Sequence, residues 1–242
     1  MTWDASQTRR LVEKLFGREQ LAIARGSIKS IIDRLDYARY HYQEAVRLQK
    51  HFCEEHLSDE LLIAVAFSSE DKERLAFEVL MMQLGAHTVA CVQSIHTLPD
   101  ILAHVLYLSL GLNNGQSTAL REQQINADTV DSLLQAFSGH AELRGALRCL
   151  TGQGSFNHVA ALSNHSKHRS IVQPLLSEDH TGLREERHEV RFAAFTYKGT
   201  VYPEVSVSAL LSPEYARCSR VVVDAGRNLN VLLEEMLRQR TE

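Results

Sequence analysis

Only two prolines, Pro99 and Pro174, fall in the first 180 residues. Proline removes a backbone donor and clashes with the preceding turn, so a chain this poor in it can run long helices. Apolar residues recur at helical spacing over residues 4–24 and 27–56, with a break expected at Gly26-Ser27. A short helix is expected over 59–67, after Ser58. "SSED" (68–71) sets capping serines ahead of acids, a helix start signal. From about 70 to 96 the sequence is apolar nearly all round, through Leu75, Phe77, Val79, Leu80, Met81, Leu84, Val89, Val92 and Ile95. Such a helix belongs at the centre of a bundle. Pro99 either kinks it or starts a new helix running to about 110. "GLNNGQST" (111–118) has loop composition. Helices near 128–137 and 140–150 follow, then a turn at "TGQGS" (151–155) and a helix over 156–172, ending before Pro174.

The pattern then changes. "EDHTGLREERHE" reads as a solvated polar connector. Residues 189–197 and 201–208 alternate and are rich in Val, Phe and Tyr, with Lys198-Gly199 between them. That predicts a β-hairpin with a two-residue turn, and Pro203 makes the second strand an edge. A last helix is expected after Pro213. The expected fold is mainly α: a helical bundle over about 4–175, a small β-hairpin over about 189–208 and a final long helix over about 213–240, in a single domain.

Composition narrows the function. Hydrophobic residues make up 44% and charged residues 23%, with a net charge of −4. No bulk positive field points to nucleic acid or an anionic membrane, although a local patch remains compatible with RNA. The four cysteines (Cys53, Cys91, Cys149, Cys218) form no CxxC pair. They read as reduced core thiols of a cytoplasmic protein. The N-terminus lacks an apolar signal region. The apolar stretch 75–96 carries Glu78, Gln83, His87, Gln93 and His96, so it reads as a buried helix and no membrane is expected. No Walker A, GxGxxG, GxSxG or HExxH pattern occurs, and neither cofactor nor metal is expected. The charged residues along 9–74 read as solvated helix faces.

"ALSNHSKHRS" (161–170) concentrates the chemistry. At 100° per residue, Ser163, Ser166 and Ser170 cluster on one side, expected to be solvated. The opposite arc holds Ala160, Ala161, Leu162, Ile171 and Val172, and also Asn157, His158, Asn164, His165 and His168. Burying an amide or imidazole without a partner costs about 1–3 kcal/mol. An inward arc of this kind requires a satisfied hydrogen-bond network between helices, or a cleft. In a cleft, histidine can move protons near neutral pH, and Lys167 and Arg169 can hold phosphate. "QSIHTLPDILAH" places His96, Asp100 and His104 at i, i+4, i+8; if the helix runs through Pro99 they share a face, where a His–Asp pair could fix an imidazole tautomer behind the late histidines or join them in holding a metal. A restart at Pro99 would leave Asp100 in a first turn, where acids are favoured anyway.

On these two stretches the chain resembles the HEPN-type helical proteins, and within them a bacterial group with an N-x-x-K-H-R run. The likeness spans about residues 30–175 in layout and is specific only over the short motif. It implies a dimer whose late helices face one cleft, and in active members metal-independent RNA cleavage. Carried over, Asn164 takes the polar position and His168 the histidine, while Ser163 stands where the family has arginine. A neutral hydroxyl cannot stabilise phosphate charge as guanidinium does. Two expectations follow. One is a non-catalytic helical scaffold that forms a homodimer or binds a protein partner. The other is a binder of RNA or nucleotide phosphate. As a ribonuclease it would use His168 as acid and base, Asn164 to orient, Lys167 and Arg169 to hold phosphate, and His96, Asp100 and His165 behind them.

Overall fold

A computed structural model describes residues 2–137 and 139–241. The chain is mainly α, with a small antiparallel β region followed by a long last helix. Helix α1 (Ala5–His56) is interrupted at Gly17, whose φ of 86° and ψ of 176° suit glycine alone. The break expected at Gly26-Ser27 is absent, because Gly26 keeps helical geometry. Helices α2 (Leu62–Ala66), α3 (Asp71–His96) and α4 (Leu98–Ser109) follow. Ser68 starts α3 as its sequence suggests, its hydroxyl accepting the Glu70 amide and donating to Glu73. A restart at Pro99 is what occurs: α3 stops at His96 and α4 begins at Leu98 with Pro99 in its first turn. Helices α5 (Ala127–Leu134), α6 (Ala141–Thr151) and α7 (Gly154–His168) lead into the strands.

Strands β1 (Pro174–Glu178), β2 (His188–Phe192) and β5 (Val205–Ser206) form one antiparallel sheet in the order β1-β2-β5. Strands β3 (Phe195–Tyr197) and β4 (Thr200–Tyr202) form a separate hairpin. The expected single hairpin over 189–208 is thus divided, and β1 lies between the expected end of the late helix and the polar connector, where no strand is expected. Helix α8 (Val207–Thr241) starts six residues before Pro213 and carries that proline inside it. Ser206 accepts the Ala209 amide and opens the helix.

The chain divides into two compact units. The first takes the chain to Asp36, residues 97–157 and the chain from Ala216 onward. Its core is aliphatic: Val12, Ile28 and Ile31 of α1, Leu98, Leu102 and Leu106 of α4, Val130 and Leu134 of α5, Leu147 of α6, and Leu229 and Leu233 of α8. Thr8 donates to Asn230 at 2.6 Å and Gln7 to Glu234 at 2.6 Å, fixing the register of α1 on α8.

The second unit takes residues 37–96 and 158–215. Leu80, Leu84, Val92 and Ile95 of α3 are buried with Leu176, Val190 and Phe192 of the sheet. An all-round burial of α3 does not hold: Leu75 (59% exposed), Val79 (39%) and Met82 (66%) form an outward apolar stripe. The Asp71–Ser109 stretch is long and apolar enough to cross a membrane by length and composition alone, and 33% of its most apolar window is buried. Among the cysteines, Cys91 and Cys218 are buried and Cys53 half-buried, but Cys149 is exposed, so not all four are core thiols. Burial pushes the Cys91 thiol up to about 12.

Candidate functional site

The motif "ALSNHSKHRS" belongs to the second unit, and the orientation of its helix follows the expected one at His158, Ala161 and Leu162 and departs from it at Ser163, Asn164 and His168. In α7, His158, Val159, Ala161, Leu162 and Ser163 are buried, while Lys167 and His168 are exposed and Asn164 is partly exposed. Ser163, expected in water, is 0% exposed. Its hydroxyl has no hydrogen-bond partner among the described residues. His168, expected inward, faces solvent one turn beyond Asn164. The helix also ends at His168, so Ile171 and Val172 are not on it.

The buried arc packs on the β3–β4 hairpin. Phe195 pairs with Tyr202 across it, and Tyr197 lies two residues on, so all three rings share one face. Lys198 and Gly199 at its tip both have positive φ, 49° and 81°, the pair that a type I′ turn needs. Phe195 and Tyr202 stack with centroids 5.0 Å apart. His158 lies 5.6 Å from Phe195 and 5.1 Å from Tyr202, and His165 meets Phe195 at 5.6 Å and Tyr197 at 6.1 Å. The histidines therefore work here as flat aromatic surfaces. Burial lowers the pKa of His158, keeping it neutral. His165 has a further task. Its Nδ1 donates to the Ser170 carbonyl at 2.6 Å, and its own carbonyl accepts the Arg169 amide, so it ties off the helix end.

What faces outward is basic. The Arg169 guanidinium lies 5.6 Å from the Tyr197 ring centroid, and the Lys198 ammonium lies 5.5 Å from it. Lys167 and His168 are exposed on the adjoining last turn. Among the described residues no carboxylate lies in ion-pair range of Lys167, Arg169 or Lys198. The surface thus offers cationic donors around an aromatic ring, with the Asn164 carboxamide one turn back.

On this surface the sequence singles out Asn164, His165, Lys167, His168 and Arg169 as candidates, and gives no sign that Tyr197 and Lys198 join them. The hairpin was legible, but not where it would dock. The supporting residues part company. Asp100 belongs to the first unit, where its carboxylate accepts the Ala127 amide at the start of α5 at 3.3 Å. His96 closes α3 in the second unit, while Asp100 and His104 lie on α4, with Thr97 between the two helices. Among the described residues no three His, Cys, Asp or Glu side chains gather as a metal site would need.

A second polar cluster lies in the segment read as a solvated connector. The Glu178 side chain is 2% exposed. It accepts from the Leu62 amide at 2.8 Å and from Arg187 at 2.6 and 2.9 Å, and His188 Nε2 lies 3.6 Å away. Burial pushes the Glu178 carboxyl up, but the Leu62 amide and Arg187 outweigh it, and the net shift is downward. For His188, burial outweighs the pull of Glu178 and lowers its pKa. This cluster closes the β1–β2 connection.

No protein-family model, curated protein or solved structure matches the chain.

Proposed function

We propose that the chain is a non-catalytic helical binding protein whose α7 terminus and hairpin tip hold single-stranded RNA. The observation that carries this reading is Tyr197 flanked by Arg169 and Lys198, beside exposed Lys167 and His168. Free cations neutralise phosphates, and a partly exposed ring stacks a base without demanding its identity. The net charge of −4 makes this a local device and not a consequence of a basic protein. The HEPN-like run is the same surface read as sequence. Ser163 at the arginine position, inward and neutral, supports binding over cleavage. The free thiols suit a reducing cytoplasm.

Fluorescence anisotropy with labelled oligouridine tests it. Wild type is expected to bind with a log–log salt slope of about −2 for three phosphate contacts on a single strand. Lys167→Ala, Arg169→Ala and Lys198→Ala together should abolish the slope, and Tyr197→Ala should weaken binding about tenfold or more by loss of stacking. Unchanged binding in the triple variant overturns the assignment. The RNA should stay intact, with wild type and His168→Ala alike.

A second reading, a homodimer, is favoured by the exposed stripe on α3. Leu75, Val79 and Met82 follow i, i+4, i+7 spacing and can pack against the same stripe of a second copy. Light scattering on Val79→Glu/Met82→Glu should then report half the wild-type mass.

A further inference from the structure

The first unit contains a cleft that the RNA-binding surface does not use. One wall is α1, which presents Ile23, Ser27, Ser30 and Arg34 at i, i+4, i+7, i+11, with Gly26 beside them. The facing wall is α4, with Ile101, His104 and Leu108. The third is the segment after α4, through Asn113, Leu120, Glu122 and Ile125. With glycine and two serines on the α1 wall, the cleft encloses about 660 Å³, within the range of small-molecule sites.

The third wall is held in place. The Tyr107 hydroxyl accepts the Leu120 amide at 2.8 Å and donates to the Thr118 carbonyl at 3.2 Å. Asn113 donates to Gln20 at 2.9 Å. Four other polar groups facing the cleft are unspent. Arg34 and His104, both partly buried, make no hydrogen bond or ion pair to any described residue, and the Ser27 and Ser30 hydroxyls are likewise free. Sequence reasoning passed Arg34 over as part of a solvated face. A half-buried guanidinium facing a cleft without a carboxylate partner is a ready anion receptor. Glu122 is the acid on the lining, and it sits exposed in the third wall. The apolar remainder, Ile23, Ile101, Leu108, Leu120 and Ile125, suits a hydrocarbon or aromatic body.

We infer that this cleft binds a small organic anion with an apolar body, its charged group on Arg34, with Ser27, Ser30 and His104 as further donors. Two probes sharing one ring system test it on the full chain: anilinonaphthalene sulfonate, which carries the anion, and phenylnaphthylamine, which lacks it. The sulfonate should bind saturably with a fluorescence rise, at one site per chain. Arg34→Ala should weaken the sulfonate about tenfold, the scale of one charge-assisted contact, and leave the neutral probe within about twofold. Arg34→Lys should restore part of the difference. Ser30→Phe should exclude both probes, with circular dichroism confirming that the variant folds. No saturable binding of the sulfonate overturns the inference. So does a sulfonate affinity that Arg34→Ala leaves unchanged, or equal losses of both probes in that variant. The RNA measurement above is independent of all of these results.

Discussion

At the scale of single residues, His158 shows what an imidazole does when packing claims it. It is 8% exposed, packs against both Phe195 and Tyr202, and its Nε2 has no hydrogen-bond partner among the described residues. Its ring contributes area, and its nitrogen is a cost. His158→Ala should therefore destabilise by about 2–4 kcal/mol, the range for deleting a buried ring. His158→Phe should fall within about 1 kcal/mol of wild type or above it, because it keeps the ring contacts and removes an unsatisfied polar atom. Urea midpoints of the two variants measure this. A phenylalanine variant as unstable as the alanine one would mean that the nitrogen, not the ring, is what the fold needs. Glu178 is the opposite case. Its carboxylate is committed to Leu62 and Arg187, and Glu178→Ala would leave the Leu62 amide unpaired while the half-exposed Arg187 returns to water, with an expected loss of about 1–3 kcal/mol in the same assay.

Among elements, α1 and α7 show what a helical pattern can and cannot specify. Two glycines punctuate α1, and the apolar spacing on either side of Gly26 made it the natural break. Gly17 takes that role because its φ of 86° leaves the helical region, while Gly26 stays within it. Gly17→Ala should cost about 1–3 kcal/mol for a strained backbone. Gly26→Ala, whose Cβ would meet nothing within 4 Å, should gain up to about 1 kcal/mol. Thermal melts of both variants decide which glycine matters. In α7 the element was legible and the facing only in part, right at His158, Ala161 and Leu162 and wrong at Ser163 and His168. Ile171 and Val172 weighted the wheel toward Asn164 and His168, yet they lie beyond the helix end. Without them, Val159, Ala161 and Leu162 define the buried arc, and small Ser163 fits inside it. Which arc is covered depends on Phe195 and Tyr202, some thirty residues later in the chain, and a local window carries no such information. The hairpin turn was readable because Lys198-Gly199 fixes it locally. Strand β1 was not, because its pairing with β2 spans the 179–187 connector.

For the molecule as a whole, the titrating groups with shifted pKa values fall unevenly. His41, His158, His188 and Glu178 all belong to the second unit. Burial, with the nearby His87 charge, lowers His41, and its Nδ1 lies 2.9 Å from that of His87, a distance that two imidazolium ions would not share. Each of the three histidines is harder to protonate folded than unfolded. Their neutral forms cost nothing above the ordinary value of 6.5, and stability falls as pH drops through it, because the unfolded chain takes up protons that the folded chain refuses. Glu178 adds a later loss. Its contribution is present above 4.5 and disappears as pH falls through its lower folded value. Both losses run the same way, so acid should loosen the second unit ahead of the first. Hydrogen exchange at pH 7.5 and 5.5, corrected for intrinsic rates, should show residues 158–192 losing protection while residues 98–134 keep theirs. Replacing His41 and His158 together by phenylalanine should remove a large part of that difference. Equal loss of protection in both segments, or none at pH 5.5, would refute the assignment of acid sensitivity to these histidines.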